Sequence, residues 1–575
     1  MINEEIANIF ERVGQTLEFR GKDRFRALAY ERGARSLRGL EGDLASIAAK
    51  GTLEDIPGIG HDLSTMIEEY VRTHHIRRCE QELRRVPAEL LVLMDIPGLG
   101  PKTVALLHKK HHVNAFPDLK RLLDTDALLG VRGFGEQKIS NIKRGIALWQ
   151  ASKERMLLGE ALPRAEVLLE EIRKIKGVER ADVAGSLRRR RETIGDLDFL
   201  IISRTSARVL REFSRLPMVK QIIALGDTRA TVIIEGGVQV DVRAVAERSY
   251  GAALQYFTGS KDHNVHLRTI AQKRDLKINE YGVFHGRKRL GGTTETECYR
   301  LLGLPIIPPE LREDRGEIEA ALEHRLPALV ERKDLRGDLH VHTDYSDGRS
   351  TLEEMVEGAA SLGYEYVALI DHSPSARVAR GLSEERLEEK IEAIEKLRRQ
   401  RGRHKPRILM GAEVDILSNG KLDYKDKTLA RLDVVVASVH SGFRQSRDRM
   451  TGRLLDAVSN PHVQIIGHPT TRLIGGREAI NFDFDQILRA VIDANVAFEI
   501  DSQPDRLDLT DTLVKAANEA GALFAINSDA HSLSQLEYIR YGIFDARRGW
   551  TEARAVINSW TWSKLSRWLE KRRSS

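Results

Sequence analysis

Gly185-Ser186-Leu187-Arg188-Arg189-Arg190-Arg191-Glu192-Thr193-Ile194-Gly195-Asp196-Leu197-Asp198 is the stretch from which the rest of the chain is read. Asp196 and Asp198 flank Leu197 and lead into the apolar run Phe199-Leu200-Ile201-Ile202, the pattern of one strand. Alternation along a strand puts both carboxylates on one face and Leu197 on the other. A second alternating run, Val238-Gln239-Val240-Asp241-Val242, carries a third carboxylate that an adjacent strand brings beside the pair. Three such groups on one face repel each other unless a cation lies among them, which predicts one or two bound Mg²⁺ ions. An isolated Asp-x-Asp is more often a solvated strand end, and an arginine run alone reads as a solvated face. Here Gly185-Ser186, the four arginines and Gly195 together form a backbone and guanidinium cradle suited to a triphosphate.

The order Gly-Ser, Arg-Arg, Gly-Asp-x-Asp is the signature of the nucleotidyltransferase superfamily. The run Tyr250-Gly251-Ala252-Ala253-Leu254-Gln255-Tyr256-Phe257-Thr258-Gly259-Ser260, with Asn264, Arg268 and Asn279-Glu280-Tyr281, closely resembles the family X DNA polymerases, of which the DNA polymerase beta type is best known. The resemblance implies that Gly185, Ser186 and Arg189 hold the β- and γ-phosphates. It implies that Asp196 and Asp198 bind both catalytic metals and Asp241 the one at the primer terminus. Tyr256 and Phe257 are expected to wall off the ribose 2′ position, beside Gly259 and Ser260. Asn264 is expected to meet the incoming base, Arg268 the templating strand, and Glu280 with Tyr281 to lock the closed state. Two positions depart from the animal pattern. Lys261 replaces an aspartate and adds positive charge beside the nucleotide, and Gln239 replaces an arginine two residues before Asp241.

The whole chain agrees with a phosphate-rich partner. Its 575 residues predict several domains, and no apolar run is long enough to span a bilayer. The net charge is +6, with basic segments concentrated before residue 300. Only Cys79 and Cys298 are present, far apart, and Met1-Ile2-Asn3-Glu4-Glu5 is unlike a secretory signal, so a cytosolic (cytoplasmic) protein is expected. Nothing in the sequence demands more than a monomer.

Upstream, helical periodicity fills residues 1–150, punctuated by Ile56-Pro57-Gly58-Ile59-Gly60-His61, Ile96-Pro97-Gly98-Leu99-Gly100-Pro101-Lys102 and Val131-Arg132-Gly133-Phe134-Gly135. The copies recur at about forty residues and resemble helix–hairpin–helix units. Paired glycines (Gly58/Gly60, Gly98/Gly100, Gly133/Gly135) permit a tight turn and close approach, and the free N–H groups opening the next helix, with Lys102, face a DNA phosphate. The polymerase beta group carries a Schiff-base lysine in the helix after its first hairpin. Met66 stands there, so no abasic-site lyase of that kind is expected unless Lys22, Lys50 or another amine substitutes.

Beyond Pro305–Asp314 the pattern changes to short apolar strands alternating with helices, with metal-type residues at strand ends: His340, His342 and Asp347, then His372, Glu413, His440, His468, Asp529 and His531. A parallel β/α barrel builds its site this way, and His-x-His on a strand aims both imidazoles at one ion. The set matches the nine ligand positions of the PHP (polymerase and histidinol phosphatase) domain. Mixed imidazole and carboxylate donors suit Mn²⁺, Zn²⁺ or Fe. Arg377, Arg380 and Arg472 are candidates to hold phosphate there, or are solvated loop residues.

The expected architecture is a helical DNA-binding region over 1–85, a second over 86–150, and an α/β palm over 151–240. A thumb-like lobe over 241–315, a linker over 316–332 and a distorted β/α barrel over 333–575 follow. The expected activity is two-metal DNA synthesis on gapped or primer-template DNA from deoxynucleoside triphosphates. A metal-dependent 3′→5′ exonuclease accompanies it, and its hydrolysis could extend to 3′-phosphates or abasic sites. Two other readings stand beside it: a DNA-binding scaffold with an inactive PHP domain, and a small-molecule phosphatase fused to a nucleotidyltransferase. Nine filled ligand positions argue against the first and three hairpins against the second.

Overall fold

In the computed structural model the described residues are 2–573, excluding 22, 39, 41–43, 74, 97, 126, 129–130, 132–133, 154 and 403. Two compact units are present: Met1–Lys153 with Gly475–Arg477, and Glu154–Ile474 with Glu478–Ser575. The first is helical and holds two apolar clusters, one drawn from Ile6 to Cys79 and one from Val86 to Trp149.

The second unit opens with the two-residue strand Met156–Leu157, which leads into helix α1 (Leu158–Lys174). Its Leu158, Ala161, Leu162, Ala165, Leu168 and Ile172 recur at helical spacing and bury one face against a five-stranded sheet. The strands are β1 (Arg180–Val183), β2 (Leu197–Ile202), β3 (Val219–Leu225), β4 (Arg229–Ile234) and β5 (Val238–Val245), in spatial order β1-β2-β5-β4-β3. Only β2 and β5 pair in parallel, in a register that sets Asp198 opposite Asp241. β5 runs unbroken across the boundary expected at residue 240, with Asp241 and Val242 paired in its ladder.

The thumb follows with helices α3 (Tyr250–Thr258) and α4 (Lys261–Lys273) and a three-stranded antiparallel sheet, β6 (Lys277–Asn279), β7 (Gly282–His285) and β8 (Lys288–Gly291). The short helix α2 (Gly185–Arg188) lies between β1 and β2. The expected linker is not free chain: Ile318 and Ala321 of Glu317–Leu322 are buried in the thumb core. Glu295 ties thumb to palm, accepting from Arg188 at 2.8 and 2.6 Å and from the fully buried Arg312 at 2.7 Å. Burial works against the charged form of Glu295, but Arg312 and Arg188 outweigh it and draw its pKa from the usual 4.5 down to about 2. Because the native value lies below the unfolded one, this carboxylate stabilises the fold above about pH 4.5 and loses that contribution as the pH falls towards 2. We expect Glu295→Gln to cost about 3 kcal/mol at pH 7 and to converge with the parent near pH 2, read as urea midpoints across pH.

The C-terminal half is an all-parallel seven-stranded sheet in sequential order: β9 (Gly337–Val341), β10 (Tyr366–His372), β11 (Arg407–Asp415), β12 (Val434–Ser438), β13 (Ile465–Ile466), β14 (Ala497–Asp501) and β15 (Leu523–Asn527). It curls until first and last strands meet: Leu339 N donates to Asn527 Oδ1 at 3.1 Å, and Val341 bridges Ala530. The β10 side chains alternate as a two-sided buried strand requires. Tyr366, Ala368 and Ile370 fill the barrel interior, while Val367 and Leu369 pack under the outer helices.

Candidate metal centres and nucleic-acid interface

Carboxylate oxygens of Asp196, Asp198 and Asp241 lie within 4.8 Å of one another. Strand alternation and the β2–β5 register do this, with Leu197 turned into the core. Burial and then the charges of Asp196 and Asp241 push the Asp198 carboxyl up to about 7, and burial with Asp241 raises Asp196 as well. Asp241 is lowered: burial opposes this, but Thr231 (2.6 Å), Arg229 (2.7 and 3.0 Å) and Gln239 (2.8 Å) donate to it and prevail. The role expected of an arginine at position 239 is thus shared by an amide there and a guanidinium on β4. Three crowded carboxylates, one held ionised and two raised, are the donor set a divalent cation fits.

Gly185 adopts φ +62°, and a Cβ there would come within 2.2 Å of Asp198 Oδ2, so only glycine allows the turn to close on the carboxylate. Ser260 caps α4 by accepting from His263 N, and Lys261 opens that helix exposed. Tyr256 and Phe257 pack edge to face at 5.1 Å, with the Arg243 guanidinium 4.6 Å from the Phe257 ring centre. Asn264 is turned inward in this structure, donating to Tyr256 O and accepting from Gln255, both at 2.7 Å. Arg189 departs from a free phosphate ligand. Its guanidinium bonds Thr258 O and donates from Nε to Glu313 Oε1 at 3.0 Å. Gly195 lies against the Arg155 guanidinium, and Arg268 is exposed on α4.

The nine strand-end residues of the barrel converge. His342, Asp347, His372 and His531 form one group, His340, His342 and Asp529 a second, and His372, Glu413 and His440 a third. Glu413 links them, 2.8 Å from His468 Nε2, 3.1 Å from His440 Nε2 and 2.8 Å from His372 Nδ1. Burial would raise its carboxyl, but His440, His372 and His340 drive it well below the usual range. The geometry tests for a cation and fits one. His340 Nε2 and His342 Nε2 face each other at 3.1 Å, and His342 Nδ1 and His468 Nδ1 are buried without hydrogen-bond partners. Two supporting carboxylates escaped the sequence reading. Glu499 bonds His340 Nδ1 at 2.8 Å, and Asp415 bonds His440 Nδ1 at 3.1 Å, each orienting a ligand imidazole. A charge inside Ala497-Phe498-Glu499-Ile500 was the available signal. Arg472, a candidate to hold phosphate, pairs in this structure with Glu192 at 2.7 Å and donates to Leu507 O.

In the helical unit the three hairpins repeat one geometry. Ile59 N, Leu99 N and Phe134 N each close a turn on the residue three before, at 2.9, 2.9 and 2.8 Å. Gly60, Gly100 and Gly135 each accept from the helix that follows, and a Cβ on any of them would meet nothing within 4 Å. Open glycines before exposed helix N-termini suit close approach of a sugar–phosphate backbone. Gly58 and Gly98 take φ +86° and +90°; Gly133 lies outside the described residues. Lys102 pairs with Glu18 at 3.3 Å yet remains largely exposed. Met66 is buried against the Tyr30 hydroxyl and Cys79 Sγ, while Lys50 is exposed and Lys22 lies outside the described residues. Borohydride is expected to trap no covalent adduct with an incised abasic-site substrate; a trapped adduct overturns this.

Among the described residues no helix is long and apolar enough to cross a membrane. Family models match as a helix-hairpin-helix domain over residues 1–76, a SAM-like helix-hairpin-helix tandem over 90–147, a DNA polymerase beta thumb over 253–313 and a PHP domain over 338–503. The chain is 37% identical over 563 residues to the DNA polymerase/3′-5′ exonuclease PolX of Bacillus subtilis (strain 168), covering 97% of this chain and 98% of that protein. Over 34% of its length it is 32% identical to a probable phosphatase of Thermoanaerobacter sp. (strain X514), covering 78% of that protein.

Proposed function

Because the chain belongs to the family X DNA polymerases that carry a C-terminal PHP domain, we propose that it fills short gaps in DNA and trims 3′ ends, with one active site for each reaction. The observation that carries this is the presence, in one compact unit, of two convergent donor sets: three carboxylates beside a glycine turn, and nine imidazole and carboxylate groups at the mouth of a barrel.

At the first site Mg²⁺, when bound, lowers the primer hydroxyl pKa and neutralises charge on the leaving pyrophosphate. Asp241, held ionised by Thr231, Arg229 and Gln239, orients the 3′-hydroxyl and is the group placed to receive its proton. Gly185 and Ser186 offer backbone N–H groups to the triphosphate, together with Arg189, and Gly195 lets the chain pass close to it. Tyr256 and Phe257 exclude a 2′-hydroxyl, and Asn264 and Arg268 meet the nascent pair. At the second site the nine residues would hold Mn²⁺ or Zn²⁺, which would supply a hydroxide nucleophile and neutralise charge on the scissile phosphate. Glu499 and Asp415 fix the His340 and His440 rings, and Arg377 and Arg380 stand exposed nearby for the strand. The hairpins hold primer-template or gapped DNA by its backbone. A role on DNA fits the cytoplasmic location expected from the sequence.

A labelled primer bordering a one-nucleotide gap, incubated with Mg²⁺ or Mn²⁺, tests the proposal. The primer is expected to lengthen by one residue with deoxynucleotides and to shorten without them. Neither change in either metal overturns the reading.

A further inference from the structure

Resting on the reading of Gly185–Arg191 as the triphosphate turn, we propose that Arg548, in the phosphoesterase half, is a positioning residue for nucleotide binding by the polymerase half. Helix α5 (Ile539–Arg548) follows the last barrel strand and packs on the palm, where its Tyr541 joins the apolar core beneath the sheet. Arg548 is 3% exposed. Its Nη1 donates to the backbone oxygen of Arg189 at 2.7 Å and to Glu313 Oε1 at 3.0 Å, and its Nη2 donates to Asp511 Oδ2 at 2.6 Å. The same Glu313 oxygen accepts from Arg189 Nε at 3.0 Å. Arg548 therefore governs Arg189 at both ends: directly at its main chain, and through Glu313 at its guanidinium.

The rest of the turn is held from the same side. The Arg190 guanidinium lies 4.5 Å from the centre of the Phe544 ring, and Glu192 pairs with Arg472 at 2.7 Å. Of the four consecutive arginines, Arg188 is bound within palm and thumb, to Thr258 and Glu295, and Arg191 pairs with Glu313 of the thumb at 3.7 Å, whereas Arg189 and Arg190 are contacted from the barrel half. The barrel half thus holds the middle of the nucleotide turn, at Arg189, Arg190 and Glu192. Removing the Arg548 charge has two effects of the same sign. The Arg189 carbonyl loses its donor and the turn loosens, and Glu313, short of one cation, pulls harder on the guanidinium meant for a phosphate. Lysine keeps the charge, but its single nitrogen cannot serve Arg189 and Asp511 together, as the two guanidinium nitrogens do.

The test is single-nucleotide insertion by full-length enzyme on gapped DNA, with shortening of the same primer as the control for an intact fold. The parent's own insertion decides the polymerase reading beforehand, separately from this proposal. Arg548→Ala is expected to raise the deoxynucleotide KM roughly 10-fold, with a smaller change in kcat and with primer shortening retained. Arg548→Lys is expected to shorten primers like the parent while recovering only part of the nucleotide affinity. Arg540→Ala, on the same helix but paired with the exposed Glu166, is expected to leave KM unchanged. A parental KM in Arg548→Ala overturns the proposal. Should Arg548→Ala lose both activities, the lysine variant decides: a raised KM upholds the proposal and a parental one overturns it.

Discussion

Asp198→Ala is expected to abolish primer extension, by roughly three orders of magnitude or more, while the same protein still shortens the primer. Asp198 stands at the middle of the carboxylate trio, opposite Asp241 in the β2–β5 ladder and against the Gly185 turn. Without it no two carboxylates from β2 and its approach remain to meet Asp241 across a cation. The substitution is also informative about cost. The Asp198 carboxyl is raised to about 7 by burial and by its two acidic neighbours, so the ionised side chain is a burden on the metal-free fold. Its removal relieves that repulsion, and the metal-free variant is expected to melt no earlier than the parent by calorimetry. Residual extension near the parental rate would place the polymerase chemistry elsewhere.

Glu413→Gln is expected to do the converse, lowering 3′-end hydrolysis about 10³-fold or more while extension proceeds at the parental rate. Glu413 is the carboxylate that His372, His440 and His468 share, with His340 and His342 each 3.7 Å from Oε2. Glutamine matches its shape, so the packing of β11 is kept, but the negative charge that gathers cations among these imidazoles is gone. Metal content of the purified variant, measured by emission spectrometry, is expected to fall with the hydrolysis. His342→Ala is expected to give the same split, since its ring belongs to two of the three ligand groups. If either barrel variant also loses extension, the two reactions do not have separate sites.

Much of this was written locally in the chain. Asp196-Leu197-Asp198 leads into β2 and His340-Val341-His342 runs off the end of β9, and the extended backbone's period of two aims their charged residues together. The three glycine hairpins are similarly self-contained, each closing on a residue three positions away. The convergence of the barrel's imidazole and carboxylate donors is legible one strand at a time because parallel strands in sequence order present their C-terminal ends at one mouth. A charged side chain, however, declares only that it needs a counterion and not which one. Arg189 finds Glu313, 124 positions away; Asp241 finds Arg229 on the neighbouring strand; Arg472 pairs with Glu192 of the palm. Glu499 supports His340 only because β9 and β14 curl towards each other across the barrel. The sequence by itself thus determined which groups are present and which way each strand aims them. Only the tertiary structure decided their partners, because pairing in a buried, low-dielectric interior follows from distance after packing and leaves no periodic trace along the chain.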